Sequence, residues 1–285
     1  MLNLKRRVGS KILVFENIEE HLLHDILNPR PGVQSQFFPG LNKIIKGHRP
    51  GEMTVFTGAT GVGKTSFLSQ LSLDYAMQGV KTLWGSFEIR HVVLARKMMT
   101  QYLQKPLPTD QVLLREVAKK FAKIPMHFLD YFGSVKMEEL LSTLHFSVQQ
   151  QGIQHIILDN LQFMMSDTFM RGDVNKFDAQ DRALHMIRKF ANDHNVHVSL
   201  VIHPKKQEAG TMLSTESIYG SAKSSQEADN VFILQRTPEF NYLQITKNRY
   251  DGELGSIPLR YDKLSLKVRF LIRSNLRTFR QPSSF

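Results

Sequence analysis

The chain has 285 residues, of which 41% are hydrophobic and 22% charged, with a formal net charge of +11 and no cysteine. That length can bury one large α/β core with short appendages, and the balance is that of a globular chain. The absent thiols exclude disulfides, thiol catalysis and cysteine-ligated zinc modules, and no apolar run reaches the roughly 20 residues of a helical membrane span.

The basic excess points to a polyanionic partner, nucleic acid ahead of an anionic membrane. The first residues carry Lys5, Arg6, Arg7 and Lys11 without an acid before Glu16. This is a solvated basic end, a composition that an organelle-targeting remnant shares. Residues 17–27, NIEEHLLHDIL, place Ile18, Leu22, Leu23 and Ile26 on one helical face, with Asn17 as N-cap and Pro29 beyond the end. NPRPGVQSQ then reads as a linker, so residues 1–36 form a basic segment with an arm helix. From Phe37, apolar strands at 52–57, 81–87, 125–130, 154–159, 197–202 and 230–235 alternate with helical stretches. Such alternation predicts an α/β fold with a mostly parallel central sheet flanked by helices. Segments 242–249 and 255–261, joined by YDGEL, predict a C-terminal antiparallel hairpin. The core thus spans 37–262, and 263–285 reads as a basic tail, with five basic residues and no acid from Lys267 onward.

GATGVGKT, comprising Gly58, Ala59, Thr60, Gly61, Val62, Gly63, Lys64 and Thr65, is a complete G-x-x-x-x-G-K-[ST] phosphate-binding loop. It follows the strand EMTVFT and opens a helix, the context the motif requires. Its glycines let successive N–H groups turn onto a triphosphate, Lys64 reaches the β and γ phosphates, and the Thr65 hydroxyl suits Mg²⁺. The expected ligands are therefore ATP, or another nucleoside triphosphate, and Mg²⁺.

In open α/β sheets ligands bind at the carboxyl ends of the strands. Three strands end in polar residues there: KTLWGSFE in Glu88, QHIILD in Asp159, HVSLVIH in His203. Asp159 has the form of a Walker B acid for Mg²⁺. Glu88 suits polarising the attacking water, and His203 suits sensing the γ-phosphate. Two long polar stretches follow, one at 164–181 with Arg171 and Lys176, the other at 203–225 with Lys205, Lys206 and Lys223. Their lysines, hydroxyls and glycines suit a phosphate backbone without sequence readout, and acids such as Glu208 and Glu216 temper that signal. In ITKNRYDG, Lys247 and Arg249 fall on one strand face about 7 Å apart, facing water, an anionic ligand or another subunit.

FPGLNKIIKGHRPGEMTVFTGATGVGKT, TLWGSFEI, HIILDNLQFMM, LVIHPKK, GSAKSSQEADN and ITKNRYDGELG together resemble the helicase domain of the Twinkle-type mitochondrial replicative DNA helicases. That family is related to phage helicase-primases and bacterial DnaB-type enzymes, and the resemblance runs from about Phe37 to Tyr261. It implies a RecA-like P-loop NTPase core, a hexameric or possibly heptameric ring, and NTP hydrolysis between subunits. It further implies 5′→3′ movement on single-stranded or forked DNA, a mitochondrial setting, and a replication polymerase and single-strand binding protein as partners. By the same resemblance Lys64 and Thr65 are the P-loop pair, Glu88 the catalytic glutamate, Asp159 the Walker B aspartate and His203 the sensor. The DNA-facing loops fall after Asp159, on Lys205–Lys206 and on Gly220, Ser221, Ala222 and Lys223, and Arg249 becomes a trans-acting finger with Lys247 beside it. Nothing matches the primase-like half such proteins carry. An alternative reading is a RecA-like protein that anneals or coats strands, with ATP as an assembly switch.

Overall fold

The computed structural model describes residues 13–28, 32–166, 175–205, 211–218 and 226–271. Among the described residues nine strands form one sheet: β1 (Met53–Gly58), β2 (Thr82–Ser86), β3 (Met126–Phe128), β4 (His155–Asp159), β5 (His197–Val201), β6 (Asn230–Arg236), β7 (Asn241–Asn248), β8 (Gly255–Tyr261) and β9 (Val268–Phe270). Their order is β3-β2-β4-β5-β1-β6-β7-β8-β9. Pairing is parallel from β3 through β6 and antiparallel from β6 to β9. The expected fold class is borne out, and β1 occupies a central position, hydrogen-bonded to β5 and β6.

The helices are α1 (Glu19–Leu27), α2 (Pro39–Ile45), α3 (Lys64–Met77), α4 (His91–Leu103), α5 (Gln111–Phe121), α6 (Met137–Gln151), α7 (Leu161–Met164) and α8 (Lys176–His194). Alternate residues of each buried strand serve opposite faces, as the two-residue period requires. Met53, Val55, Ile156, Leu158 and Leu200 pack on one face with Leu140 and Leu144 of α6 and Leu184 and Ile187 of α8. Phe56, Trp84, Ile157, Val201 and Phe232 pack on the other with Phe67, Leu68 and Leu71 of α3 and Met98 of α4. Strands so enclosed are rich in apolar residues on both faces, which is why they stand out in the sequence.

Four sequence expectations are corrected. Asn17 does not cap α1: Ile18 precedes it, and the Asn17 Oδ1 accepts from the Val14 N–H in a preceding 3₁₀ turn. The linker is fixed to the core before Phe37, because Val33 pairs with His48 and the buried Asp74 accepts from the Ser35 hydroxyl at 2.5 Å and the Phe37 N–H at 3.0 Å. The polar stretch 164–181 is not all loop, since Asn175 caps α8 and Lys176 begins it. Val268–Phe270 adds a ninth strand where the basic tail was placed, with Val268 buried and Arg269 outward. Arg171, Lys206, Gly220, Ser221, Ala222, Lys223 and the tail beyond Leu271 lie outside the described residues, as do Lys5, Arg6, Arg7 and Lys11. Among the described residues no helix is long and apolar enough to cross a membrane.

Candidate nucleotide-hydrolysis site

The loop between β1 and α3 begins where β1 leaves the sheet. Gly58 lies against β6 so closely that a Cβ would meet the Leu234 carbonyl oxygen at 2.6 Å. Gly63, at φ +108°, turns the chain into α3 in a conformation that suits glycine. Lys64, the first residue of α3, folds back to donate to the Gly58 carbonyl at 2.7 Å and the Ala59 carbonyl at 3.2 Å. Burial pulls its pKa down, countered by the nearby Asp159 and Glu88 charges.

Asp159 ends β4 on the same rim and is buried; its Oδ2 accepts from the Thr65 hydroxyl at 2.7 Å. Burial raises its pKa, the Thr65 hydrogen bond opposes the rise, and the Glu88 charge adds to it. A buried carboxylate beside a hydroxyl is a hard-oxygen pair that lacks full compensation, which fits Mg²⁺ held by one carboxylate, one hydroxyl and substrate oxygens. Among the described residues no group of three or more His, Asp or Glu side chains is placed to hold a metal ion.

Glu88 follows β2, and His203 follows β5. Asn160 joins them: its Nδ2 donates to Glu88 Oε2 at 2.6 Å and lies 3.1 Å from His203 Nε2. Donation to Nε2 assigns the imidazole proton to Nδ1 and keeps the ring neutral. Burial, then the Lys64 charge, lowers the His203 pKa in the same sense, while Glu88 raises it. The His203 N–H donates to Gln162 Oε1 at 3.0 Å, so the start of the 203–225 stretch is tied to α7 beyond Asp159. Five predicted residues thus converge: Lys64, Thr65, Glu88, Asp159 and His203.

Sequence reading missed several neighbours. Asn160 was visible only as the residue after Asp159. Lys97, on α4, reaches the Ser66 hydroxyl at 3.2 Å; burial lowers its pKa and Asp159 raises it. No motif marks it, and only the fold brings it to the P-loop. A cleft of about 220 Å³ beside Gly61 and Gly63 is bordered by Arg236, Asn241 and Tyr261. Arg236 donates to the Gly61 carbonyl at 2.8 Å, fixing the cleft to the loop. It can take the sugar and base of a nucleotide whose phosphates lie on the P-loop.

Lys205 is exposed just past His203, with its N–H on the Ser217 carbonyl at 2.7 Å. Lys247 and Arg249 do not join the site. Lys247 donates to the Gln226 carbonyl at 3.0 Å, and Arg249 donates to Asp229 Oδ1 at 3.0 Å and to the Gln226 carbonyl at 2.6 Å. Asn248 pairs with Asn230, level with Thr54, whereas the P-loop starts at Gly58, level with Leu234. Four residues of strand, roughly 13 Å, separate these levels.

A glycine loop, a buried carboxylate and a positioned glutamate on one sheet rim define the class of P-loop nucleotide hydrolases. Within that class the chain belongs to the AAA domain family, whose model matches residues 29–209. It is 24% identical over 238 residues to the DNA helicase/primase of Enterobacteria phage T3, covering 76% of this chain and 42% of that protein. It is 25% identical over 244 residues to the chloroplastic/mitochondrial Twinkle homolog protein of Arabidopsis thaliana, covering 75% and 33% respectively. The chain therefore spans less than half the length of these curated relatives. Among solved structures it is similar to the ATPase domain of G40P, with a TM-score of 0.74, 14% identity, and 91% of this chain and 99% of that one covered. It is also similar to a DnaB-like replicative helicase studied with primase, with a TM-score of 0.71, 14% identity, and 93% and 68% covered. These likenesses bear out the resemblance to DnaB-like and Twinkle-type helicase domains and the RecA-like fold.

Proposed function

We propose that the chain is the motor of a ring-forming DNA helicase that hydrolyses ATP between subunits and moves 5′→3′ on single-stranded DNA. The observation that carries this reading is the division of the cations. Lys64 and Lys97 serve the chain's own P-loop, while Arg249 and Lys247 are fastened at the far level of the same sheet. A finger held there serves a phosphate on another subunit. Thr65 and Asp159 would hold Mg²⁺, which would supply charge neutralisation to the triphosphate. Glu88, held by Asn160, orients the attacking water; neutral His203 stands between that carboxylate and the DNA-facing stretch and reports the γ-phosphate to it. DNA contact is assigned to Lys205, Lys206, Arg171, Lys176 and residues 220–223 by the resemblance, and the net charge of +11 supports a polyanionic partner. The organellar Twinkle homologue supports a mitochondrial setting, and a polymerase and a single-strand binding protein are the partners the resemblance suggests.

The competing reading is strand annealing with ATP as an assembly switch. Glu88→Gln separates the two on a forked duplex with ATP and Mg²⁺. The variant is expected to bind nucleotide normally, lose turnover by roughly 10²-fold or more, and stop unwinding. Annealing in the same variant needs only the basic surface and should persist. Unwinding at the parent's rate by Glu88→Gln would overturn the motor reading.

A further inference from the structure

We propose that Asp229 is a positioning residue for Arg249: its carboxylate, with the Gln226 carbonyl, sets the guanidinium where it can meet a neighbouring subunit's nucleotide. The proposal rests on the reading of Arg249 as a trans-acting finger and adds the device that aims it.

Asp229 lies immediately before β6, and its side chain is only 4% exposed. Its Oδ2 accepts from the Met53 N–H at 2.8 Å, at the foot of β1. Arg188 of α8 grips both oxygens, with Nε 3.1 Å from Oδ2 and Nη2 3.1 Å from Oδ1, and also donates to the Gly51 carbonyl at 2.8 Å. These contacts already neutralise and anchor the buried carboxylate. Arg249 is a second guanidinium on the same group, 3.0 Å from Oδ1, with its other nitrogen on the Gln226 carbonyl and its backbone N–H on the Asp229 carbonyl at 2.9 Å.

Charge balance does not require this second cation. One carboxylate shared by two guanidiniums leaves net positive charge, and half of the Arg249 side chain stays exposed, against a fifth of that of Arg188. Lys247, on the Gln226 carbonyl, adds to the excess. Arg188 therefore completes the structural pair, and Arg249 is the member held at the surface with charge to spare for an anion. A long side chain fixed at two points before reaction loses less freedom on meeting the transferring phosphate than one that is free.

The test uses assembled chains with ATP, Mg²⁺ and single-stranded DNA. Asp229→Asn should lower kcat by about tenfold or more with KM for ATP nearly unchanged, because the chain's own P-loop is untouched. Mixing Asp229→Asn chains with Lys64→Ala chains should restore turnover, since the Lys64→Ala neighbour supplies a well-aimed Arg249 to an intact P-loop. A purely structural fault would not be repaired from next door. Arg249→Ala mixed with Lys64→Ala is the reference. Recovery there without recovery for Asp229→Asn, or kcat at the parent's level in Asp229→Asn alone, overturns the positioning role and leaves the finger standing. Absence of recovery in both mixtures removes the finger itself. Where Asp229→Asn fails to fold, Asp229→Glu, which keeps the charge and displaces the guanidinium, is read in the same way.

Discussion

If Arg249 acts in trans as proposed, Arg249→Ala chains should bind nucleotide as the parent does and turn it over roughly 10³–10⁵ times more slowly, the range for removing a transition-state arginine from other P-loop enzymes. Binding is spared because phosphates would be held by Lys64 and the P-loop amides, at the other level of the sheet from Arg249. Folding is spared because Asp229 keeps Arg188 and the Met53 N–H, so no buried charge is orphaned. Equilibrium binding of a fluorescent ATP analogue, a thermal melt and DNA-stimulated phosphate release separate the three quantities. Turnover within a few-fold of the parent would show that positive charge reaches the γ-phosphate from elsewhere, with Lys97 the first candidate.

The chain should lose stability as the pH falls below 6.5. His48, His155 and His197 form a buried cluster at the feet of β4 and β5, with the His48 ring 4.5 Å from His197 and 6.1 Å from His155. His197 is partnered at both nitrogens, by the Thr54 hydroxyl and the Arg49 carbonyl. His48 Nδ1 meets the Tyr75 hydroxyl at 2.5 Å and His155 Nε2 the Ser199 hydroxyl at 2.9 Å, while His48 Nε2 and His155 Nδ1 are buried without a partner among the described residues. Burial is the main cause of their lowered pKa values, and His197 falls from 6.5 to about 4. The other two fall well below the ordinary value; His197 and His155 disfavour charge on His48, and His197 does so on His155.

The sign follows from linkage. Above about pH 6.5 neither state binds protons at these rings and the stability is whole; below it the unfolded chain takes them up while the folded chain does not. Stability is lost as pH falls from 6.5 towards 4, with His197 alone contributing about 3 kcal/mol by the lower end. Urea unfolding at intervals across that range should show the midpoint dropping, and His197→Gln should flatten the slope. A midpoint constant from pH 7 to 4.5 would mean that these rings are open to water.

What the sequence disclosed follows the range of the interactions. The P-loop was legible because motif, preceding strand and following helix are contiguous. Glu88, Asp159 and His203 were legible because each ends an apolar strand and one topological rule sends such ends to one rim. Asn160 was hidden because its two partners lie on other strands, and Lys97 because nothing on α4 distinguishes a lysine facing Ser66 from one facing water. Asp229 was hidden for the same reason, its partners coming from β1, α8 and the end of β7. Val268–Phe270 is too short for a two-residue alternation to show against the arginines around it. The start of α8 was obscured by the polar residues that make a good N-terminal turn, Asn175 and Asp178.

The sheet order carries a consequence for how the protein is made. β1 is made well before β5 and β6, yet its hydrogen-bonding edges await them: Val55 pairs with Leu200 on one side and with Val231 on the other. A nascent chain that has passed α3 holds the whole phosphate-binding motif and no floor for it, because Gly58 rests against Leu234. Chains ended before His197 should leave both edges of β1 bare and bind no nucleotide. The long wait between β1 and its partners is when the growing polypeptide is most open to pairing with a stranger.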